Sequence, residues 1–195
     1  MGLPPGRGYA LMDSLANHFL IAMPGMGDPN FEETVTFVCE HSDDGALGLV
    51  INRPLDMTLA EVFLQLGFES ADESLAAQPV LRGGPVASDR GFVLHPPGGE
   101  WDSSVQVSPH VQVTTSQDVL AAMARGDGPQ PALIALGYAG WGAGQLEEEM
   151  AANSWLSVAA DPQIIFSLPF EDRWQRAAGL LGVDLSQLSA YPGHA

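Results

Sequence analysis

Cys39 and His41 are the two residues whose side chains could perform nucleophilic chemistry together. They are two positions apart in an apolar, β-branched stretch, and residues two apart in a strand share a face. An imidazolium beside a thiol lowers the thiol pKa and favours the reactive thiolate. The same spacing places Cys39 on a face with Val35 and Phe37, which predicts an inert core cysteine instead. We favour the core interpretation and keep a thiol enzyme or redox sensor as the alternative.

A glycine-rich segment, residues 137–144, follows an apolar run and precedes an acidic stretch. Backbone amides at such a strand-to-helix junction can hold an anion. However, the glycine spacing is not that of a dinucleotide site, and the acidic residues 147–149 would repel a phosphate. A neutral pocket, or close backbone packing around the tryptophan, is the preferred interpretation. The residues predicted to bind a ligand here are Gly140, Trp141, Gly142, Gly144 and Gln145.

Arginine is the only cationic side chain in the sequence, so arginines near turns are the natural partners of an anionic ligand. Three of them, Arg53, Arg82 and Arg90, fall near predicted turns or strand ends, although ion pairs with the abundant carboxylates are the simpler expectation. We add Asn52, Arg53, Gly83 and Gly84 to the predicted binding surface. The histidines show no paired ligand spacing, and the sequence indicates neither a metal nor a cofactor.

The chain has 195 residues, enough for one domain, and it carries 24 acidic side chains against 7 arginines, for a formal net charge of −17. Without lysine, Schiff-base chemistry and a P-loop are excluded. Such a charge disfavours direct contact with nucleic-acid phosphates or anionic lipid. The single cysteine forms no intramolecular disulfide, which indicates a cytoplasmic protein. No apolar run approaches the ~20 residues needed to cross a bilayer.

Strand and helix signals alternate along the chain and include at least one hairpin. Helix signals are a capping box, Thr58 with Glu61, and a helical repeat of apolar residues towards the C-terminus. We therefore predict an α/β (mixed α+β) single domain with a mixed sheet flanked by helices. The expected strands are 19–23, 34–41, 46–52, 79–81, 91–95, 131–137 and 164–168, with two more at the alternating valines 105–107 and 111–113. The expected helices are 59–66, 117–124, 145–156 and a last one ending at 182.

Several of these motifs together resemble the bacterial YqgE/AlgH family. The segments that carry the resemblance are His18–Pro24, Cys39–His41, Gly45–Pro54, Gly83–Val86, Asp89–His95 and Gly137–Glu147. The match begins near Leu15, so residues 1–14 are expected to be a loose leader and residues 15–195 the family domain. The resemblance implies a mixed sheet with a small barrel-like part in a cytosolic protein, and it supplies no established catalytic residues. Members are called transcriptional regulators because of a link to alginate control.

Three functions are therefore open at the level of sequence. The favoured one is a regulatory or adaptor protein that binds another protein or a small molecule through Asn52, Arg53, the Gly83–Gly84 turn and the Gly140–Gln145 loop. The second is the thiol enzyme or redox sensor based on Cys39 and His41, although no catalytic constellation is evident. The third is a DNA-binding transcriptional regulator, which conflicts with the charge. The sequence identifies neither the partner nor the oligomeric state.

Overall fold

Ten strands form one curled sheet within residues 14–189, the part of the chain that the computed structural model describes. The strands are β1 (His18–Ala22), β2 (Val35–Ser42), β3 (Gly45–Val50), β4 (Pro54–Thr58), β5 (Pro79–Arg82), β6 (Val86–His95), β7 (Ser104–Ser108), β8 (Val111–Thr114), β9 (Leu133–Gly142) and β10 (Trp155–Ala159). The helices are α1 (Leu59–Leu66), α2 (Glu73–Ala76), α3 (Gln117–Arg125), α4 (Gln145–Ala151), α5 (Pro162–Phe166), α6 (Arg173–Gly179) and α7 (Leu185–Ser189). The predicted leader, residues 1–14, lies outside the described residues except for Ser14.

The sheet runs in the order β10-β1-β2-β3-β9-β6-β8-β7, and β5 joins it at β9 with β4 beyond. All pairs are antiparallel except β5 with β9. The long strand β9 pairs through its N-terminal half with β5 and β6, and through its C-terminal half with β3. The curled sheet forms a half-barrel covered by helices. The predicted single α/β domain with a mixed sheet and a barrel-like part is therefore confirmed.

Alternating side chains divide the interior into clusters on the two faces of the sheet. Phe92 and Leu94 of β6 belong to the largest cluster, which the C-terminal helices α5, α6 and α7 cover. Val93, between them, faces the other side, where α1 and α3 pack. A third cluster surrounds Trp141 and Trp155 beside α4. Every face of the half-barrel thus buries apolar side chains against a helix.

Local sequence signals predict much of this arrangement. The hairpin of β2 and β3 is confirmed, as are α1 and α3. At the start of α1 the backbone N–H of Thr58 donates to the Glu61 carboxylate at 2.8 Å, and Gly67 ends the helix with a left-handed φ of 77°. These elements form where the sequence places them because their caps and turn are short-range.

Two predicted elements near the C-terminus are wrong. Residues 164–168 are not a strand, since α5 covers most of them. Asp161 caps that helix by accepting from the backbone N–H of Gln163 at 2.9 Å, and Pro162 occupies its first turn. The predicted acidic helix 145–156 ends early at Ala151, because Trp155 begins β10, which pairs with β1.

A buried arginine fastens the C-terminal helices to the sheet. Arg173 is 2% exposed, and its guanidinium donates to the carbonyl oxygens of Ile51 (2.6 Å) and Leu168 (3.1 Å). The guanidinium carbon lies 4.5 Å from the centre of the Phe170 ring. Burial lowers the pKa of Arg173 to about 10, so the side chain still carries its charge at neutral pH. Backbone carbonyls and an aromatic face take the place of a carboxylate partner.

A buried histidine joins β6 to β8. His95 is fully buried, its Nδ1 lies 2.8 Å from the carbonyl oxygen of Pro96, and its Nε2 lies 2.7 Å from the Thr114 hydroxyl. Because a carbonyl can only accept, Nδ1 carries the proton, and Nε2 of the neutral ring accepts from Thr114. Burial lowers the pKa of His95, against a smaller opposing effect of its hydrogen bond to Pro96.

We expect His95 to make the folded protein sensitive to acid. The unfolded imidazole, with a pKa of about 6.5, binds a proton more readily than the folded one, so its contribution to stability is complete above that pH and decreases below it. The slope of unfolding free energy should approach at most about 1.4 kcal/mol per pH unit for this one proton. The unfolding free energy can be measured by urea unfolding at several pH values between 7.5 and 5. It should decrease less steeply with falling pH for His95→Gln than for wild type. Equal slopes would contradict the assignment.

Candidate functional site

A broad, open depression lies at the end of the β2–β3 hairpin, where the hairpin pairs with the C-terminal half of β9. Its volume is about 760 Å³. It contains two of the residues predicted to bind a ligand, Gly140 and Trp141, together with His41. The lining residues are Ala16, residues 40–42, residues 44–47, Val86, Tyr138, Gly140 and Trp141.

The imidazole of His41 is engaged on both nitrogens. The backbone N–H of Leu15 donates to Nδ1 at 2.8 Å, so the proton of the neutral ring is on Nε2, which lies 3.2 Å from the Glu147 carboxylate. The side chain of His41 is only 4% exposed. His41 therefore ties the residues before β1 and the first turn of α4 to the hairpin, and neither nitrogen is free to act as a base.

Cys39 lies on the other face of the strand from His41. The pairing of β2 with β3 shifts register between Val38 and Glu40, so Cys39 is the extra residue of a β-bulge. Its side chain packs in the cluster with Phe37, and burial, followed by the Glu40 charge, raises the thiol pKa. The predicted shared face of Cys39 and His41 is wrong, because the bulge inverts the alternation beyond Val38.

The glycine-rich segment is a continuation of β9 and not the predicted loop. The strand extends to Gly142, and the backbone of Gly83 and Gly84 crosses it closely. A Cβ on Gly83 would overlap the carbonyl oxygen of Gly137, and one on Gly84 would overlap the backbone of Tyr138. Gly137 itself has a φ of 78°, which favours glycine. These glycines permit a backbone crossing, and Gly83 and Gly84 do not line the depression.

A carboxylate held by two indoles supports the wall of the depression. The backbone N–H of Gly142 donates to the Gln145 side chain at 3.0 Å, and the amide group of Gln145 donates to Glu149 at 3.0 Å. The indole N–H groups of Trp141 (3.0 Å) and Trp155 (2.9 Å) donate to the same carboxylate. Sequence reasoning missed this role of Glu149. Its position four residues after Gln145 on a helix is the signal that could have found it.

Asn52 and Arg53 are directed at the polypeptide itself. The Asn52 amide accepts from the N–H of Val35 and donates to the carbonyl oxygen of Glu33, each at 2.9 Å. Arg53 donates to the carbonyl oxygens of Pro29 and Glu32, each at 2.6 Å. Burial, then the nearby charge of Arg82, lowers the pKa of Arg53, while Glu32, Asp28 and Glu33 oppose this. Both residues hold the loop between β1 and β2, away from the depression.

Comparison with known proteins shows which family this architecture represents. The family model described as AlgH-like, DUF179, matches residues 19–186. The chain belongs to the AlgH-like family. The resemblance noted from its sequence motifs is thereby confirmed.

Individual AlgH-like relatives match over almost their whole length. A UPF0301 protein of Thioalkalivibrio sulfidiphilus is 58% identical over 93% of this chain and 97% of its own, and one of Xanthomonas campestris is 54% identical over 93% and 96%. The solution structure of the AlgH protein from Pseudomonas aeruginosa matches with a TM-score of 0.78 at 49% identity, covering 100% of both chains. A crystal structure of a Corynebacterium diphtheriae protein has the same fold, with a TM-score of 0.71 at 18% identity over 96% of this chain and 99% of that one.

Within the described part of the AlgH-like chain, no three His, Cys, Asp or Glu side chains are grouped so that they could hold a metal ion. None of the helices in residues 14–189 has the length and apolar content needed to cross a membrane. Of the predicted ligand-binding residues, Gly140 and Trp141 line the depression. Gly142, Gly144 and Gln145 lie beside it in sequence, and Asn52, Arg53, Gly83 and Gly84 lie elsewhere.

The backbone crossing predicts that alanine destabilises the protein at Gly83 but not at Gly179. Gly83→Ala should destabilise the AlgH-like fold by about 1–3 kcal/mol, because its methyl group has no space beside the Gly137 carbonyl. Gly179→Ala is the control, since Gly179 is helical with nothing within 4 Å of an added Cβ. That variant should be neutral or slightly stabilising. Chemical unfolding followed by circular dichroism checks both, and equal stabilities would contradict the crossing.

Cys39 should be unreactive in the folded AlgH-like chain. Because Cys39 is the only cysteine, labelling by a chromogenic disulfide reagent at pH 8 reports on it alone. We expect negligible labelling of the native protein and one equivalent in denaturant, since burial both shields the thiol and raises its pKa. Rapid labelling of the native protein would restore the thiol enzyme or sensor as a hypothesis.

Proposed function

We propose that this AlgH-like protein is a regulatory adaptor that binds a basic segment of a partner protein in the depression between the β2–β3 hairpin and β9. The proposal rests on the shape of that surface and on the charge of the residues that line it. It is wide and open, which suits a protein segment better than a small molecule, and its size exceeds that of a single side chain. Gly140 and Trp141, predicted from sequence as binding residues, form part of it.

The charge of the surface favours a cationic partner. Glu40 and Asp44 line the depression and are exposed, and among residues 14–189 no arginine lines it. The formal net charge of −17 also attracts a cationic partner from a distance, because a strongly acidic protein steers cations toward its surface. Val86, 39% exposed, and the half-buried Tyr138 add apolar area at the same place. An arginine or lysine next to an aliphatic residue would satisfy both features.

The other two hypotheses have less support. Thiol chemistry needs an accessible thiolate, whereas Cys39 is buried and its pKa is raised. DNA binding needs cations that face solvent together. Arg53 and Arg173 instead donate to backbone carbonyls, Arg90 lies over the Phe92 ring, and Arg125 is near Asp127. We therefore do not assign the regulatory role to contact with an operator.

Charge reversal in the depression tests the proposal. Glu40→Arg/Asp44→Arg should abolish regulation by repelling a basic segment. Asp56→Arg/Glu69→Arg, on exposed residues outside the depression, changes the net charge equally and should keep it. Each variant is expressed in a bacterium lacking its own AlgH-like gene, and proteome changes are compared with those of the wild-type chain. We expect rescue by the control pair only.

Crosslinking in the same cells detects partner binding directly and so distinguishes loss of binding from other causes of a changed proteome. A photoreactive amino acid replacing Ala46, which lines the depression, should give one discrete adduct that Glu40→Arg/Asp44→Arg removes and the control pair leaves. The same amino acid at Leu180, an exposed residue that follows α6 and does not line the depression, should give none. Full rescue together with an unchanged adduct in the depression variant would disprove the proposed site.

A further inference from the structure

A second concavity lies between helices α1 and α3, over strands β6 and β9. Its volume is about 410 Å³, within the range of roughly 300–1,000 Å³ typical of small-molecule sites. It shares no lining residue with the depression. We refer to it as the helical cleft.

The walls of the helical cleft are apolar. Seven of the lining side chains belong to the cluster that packs α1 and α3 on the sheet, namely Met57, Val62, Leu66, Val93, Leu120, Ile134 and Leu136. Protein interiors are packed with few voids larger than a water molecule. Here the two helices diverge enough to leave this apolar surface facing an open space. A bound apolar group would remove that surface from water and gain hydrophobic free energy.

The rim of the helical cleft is polar, and one charged side chain of the described residues, that of Asp89, lies on it. Asp89 lies where β6 breaks register with β9, between Val86 and Gly91, so the strand is irregular at this point. Asp89 is exposed, and within residues 14–189 its carboxylate has no hydrogen bond or ion pair. The neighbouring Arg90 is directed at the Phe92 ring, 5.1 Å from the ring centre. Uncharged groups complete the rim: Gln65, Ser88, Thr115, Ser116 and Gln117.

We propose that the helical cleft binds a small apolar molecule that carries a protonated amine. The apolar body would lie against Val93, Leu120 and Ile134, and the ammonium group would pair with Asp89. An anionic ligand would be repelled by that carboxylate and by the formal net charge of −17. A fully polar ligand would leave the apolar walls uncovered. This site and its ligand class do not depend on the proposed partner surface.

Three probes with one ring system and different head groups test the ligand class. They are 2-(1-naphthyl)ethylamine, 2-(1-naphthyl)ethanol and 1-naphthylacetate. Titration of the ¹⁵N-labelled full chain should shift backbone amide signals around Val93, Leu120 and Ile134, with the amine bound most tightly and the acid least. The preference for amine over alcohol should be on the order of fivefold, as expected of a solvent-exposed ion pair.

Variants assign this preference to particular side chains. Asp89→Asn should reduce amine binding to the level of the alcohol and leave alcohol binding unchanged. Asp56→Asn, an exposed carboxylate outside the cleft, should change neither. Leu66→Trp, at a half-buried position of α1, should fill the cleft and weaken the amine and the alcohol alike.

The amide spectrum of each variant shows whether it is folded, so a misfolded variant is replaced by Val62→Phe. Several results would overturn the proposal. One is the absence of binding by every probe at millimolar concentration to the folded wild-type chain. Another is equal affinity for the amine and the acid. The last is an amine preference that survives Asp89→Asn.

Discussion

The fold depends on the close crossing of the Gly83–Gly84 backbone over β9. At this point the chain packs backbone against backbone, and the place where a side chain would begin on Gly83 is occupied by the Gly137 carbonyl. Only glycine allows that distance, and the left-handed φ of Gly137 turns β9 where its partners change from β5 and β6 to β3. One strand therefore joins two groups of partner strands within the curled sheet.

Both concavities lie along that same strand. Tyr138 and Gly140 line the depression, while Ile134 and Leu136 line the helical cleft. Strand β6 also contributes to both: Val86 lines the depression, whereas Ser88, Asp89 and residues 91–93 line the cleft. The two surfaces are therefore neighbours on a shared pair of strands, although different elements complete them: the β2–β3 hairpin for the depression and helices α1 and α3 for the cleft.

The sequence predicts the features that depend on residues close together in the chain, and it does not predict those that depend on contacts between distant segments. The hairpin and α1 follow from turn residues and a capping box a few positions apart, and the structure contains them. The bulge at Cys39 depends on how β2 pairs with β3, and nothing within β2 specifies it. Arg53 looked available for an anion because its acceptors, the carbonyls of Pro29 and Glu32, lie more than 20 residues away. The α5 helix is different: Asp161 and Pro162 are local signals of a helix start, although the apolar residues that follow them also fit a strand.

The distribution of charge connects the architecture with recognition. Several arginines make contacts within the fold. Arg53 holds a loop, Arg173 joins α6 to the residue after β3, and Arg90 lies over an aromatic ring. Such contacts use the planar guanidinium as a multiple donor to carbonyls, a role that a carboxylate cannot fill. The acidic side chains, far more numerous, are left at the surface, including Glu40 and Asp44 in one concavity and Asp89 at the other. Because these arginines are engaged within the fold while carboxylates line both concavities, a ligand that binds at either concavity by charge has to bring the positive charge itself.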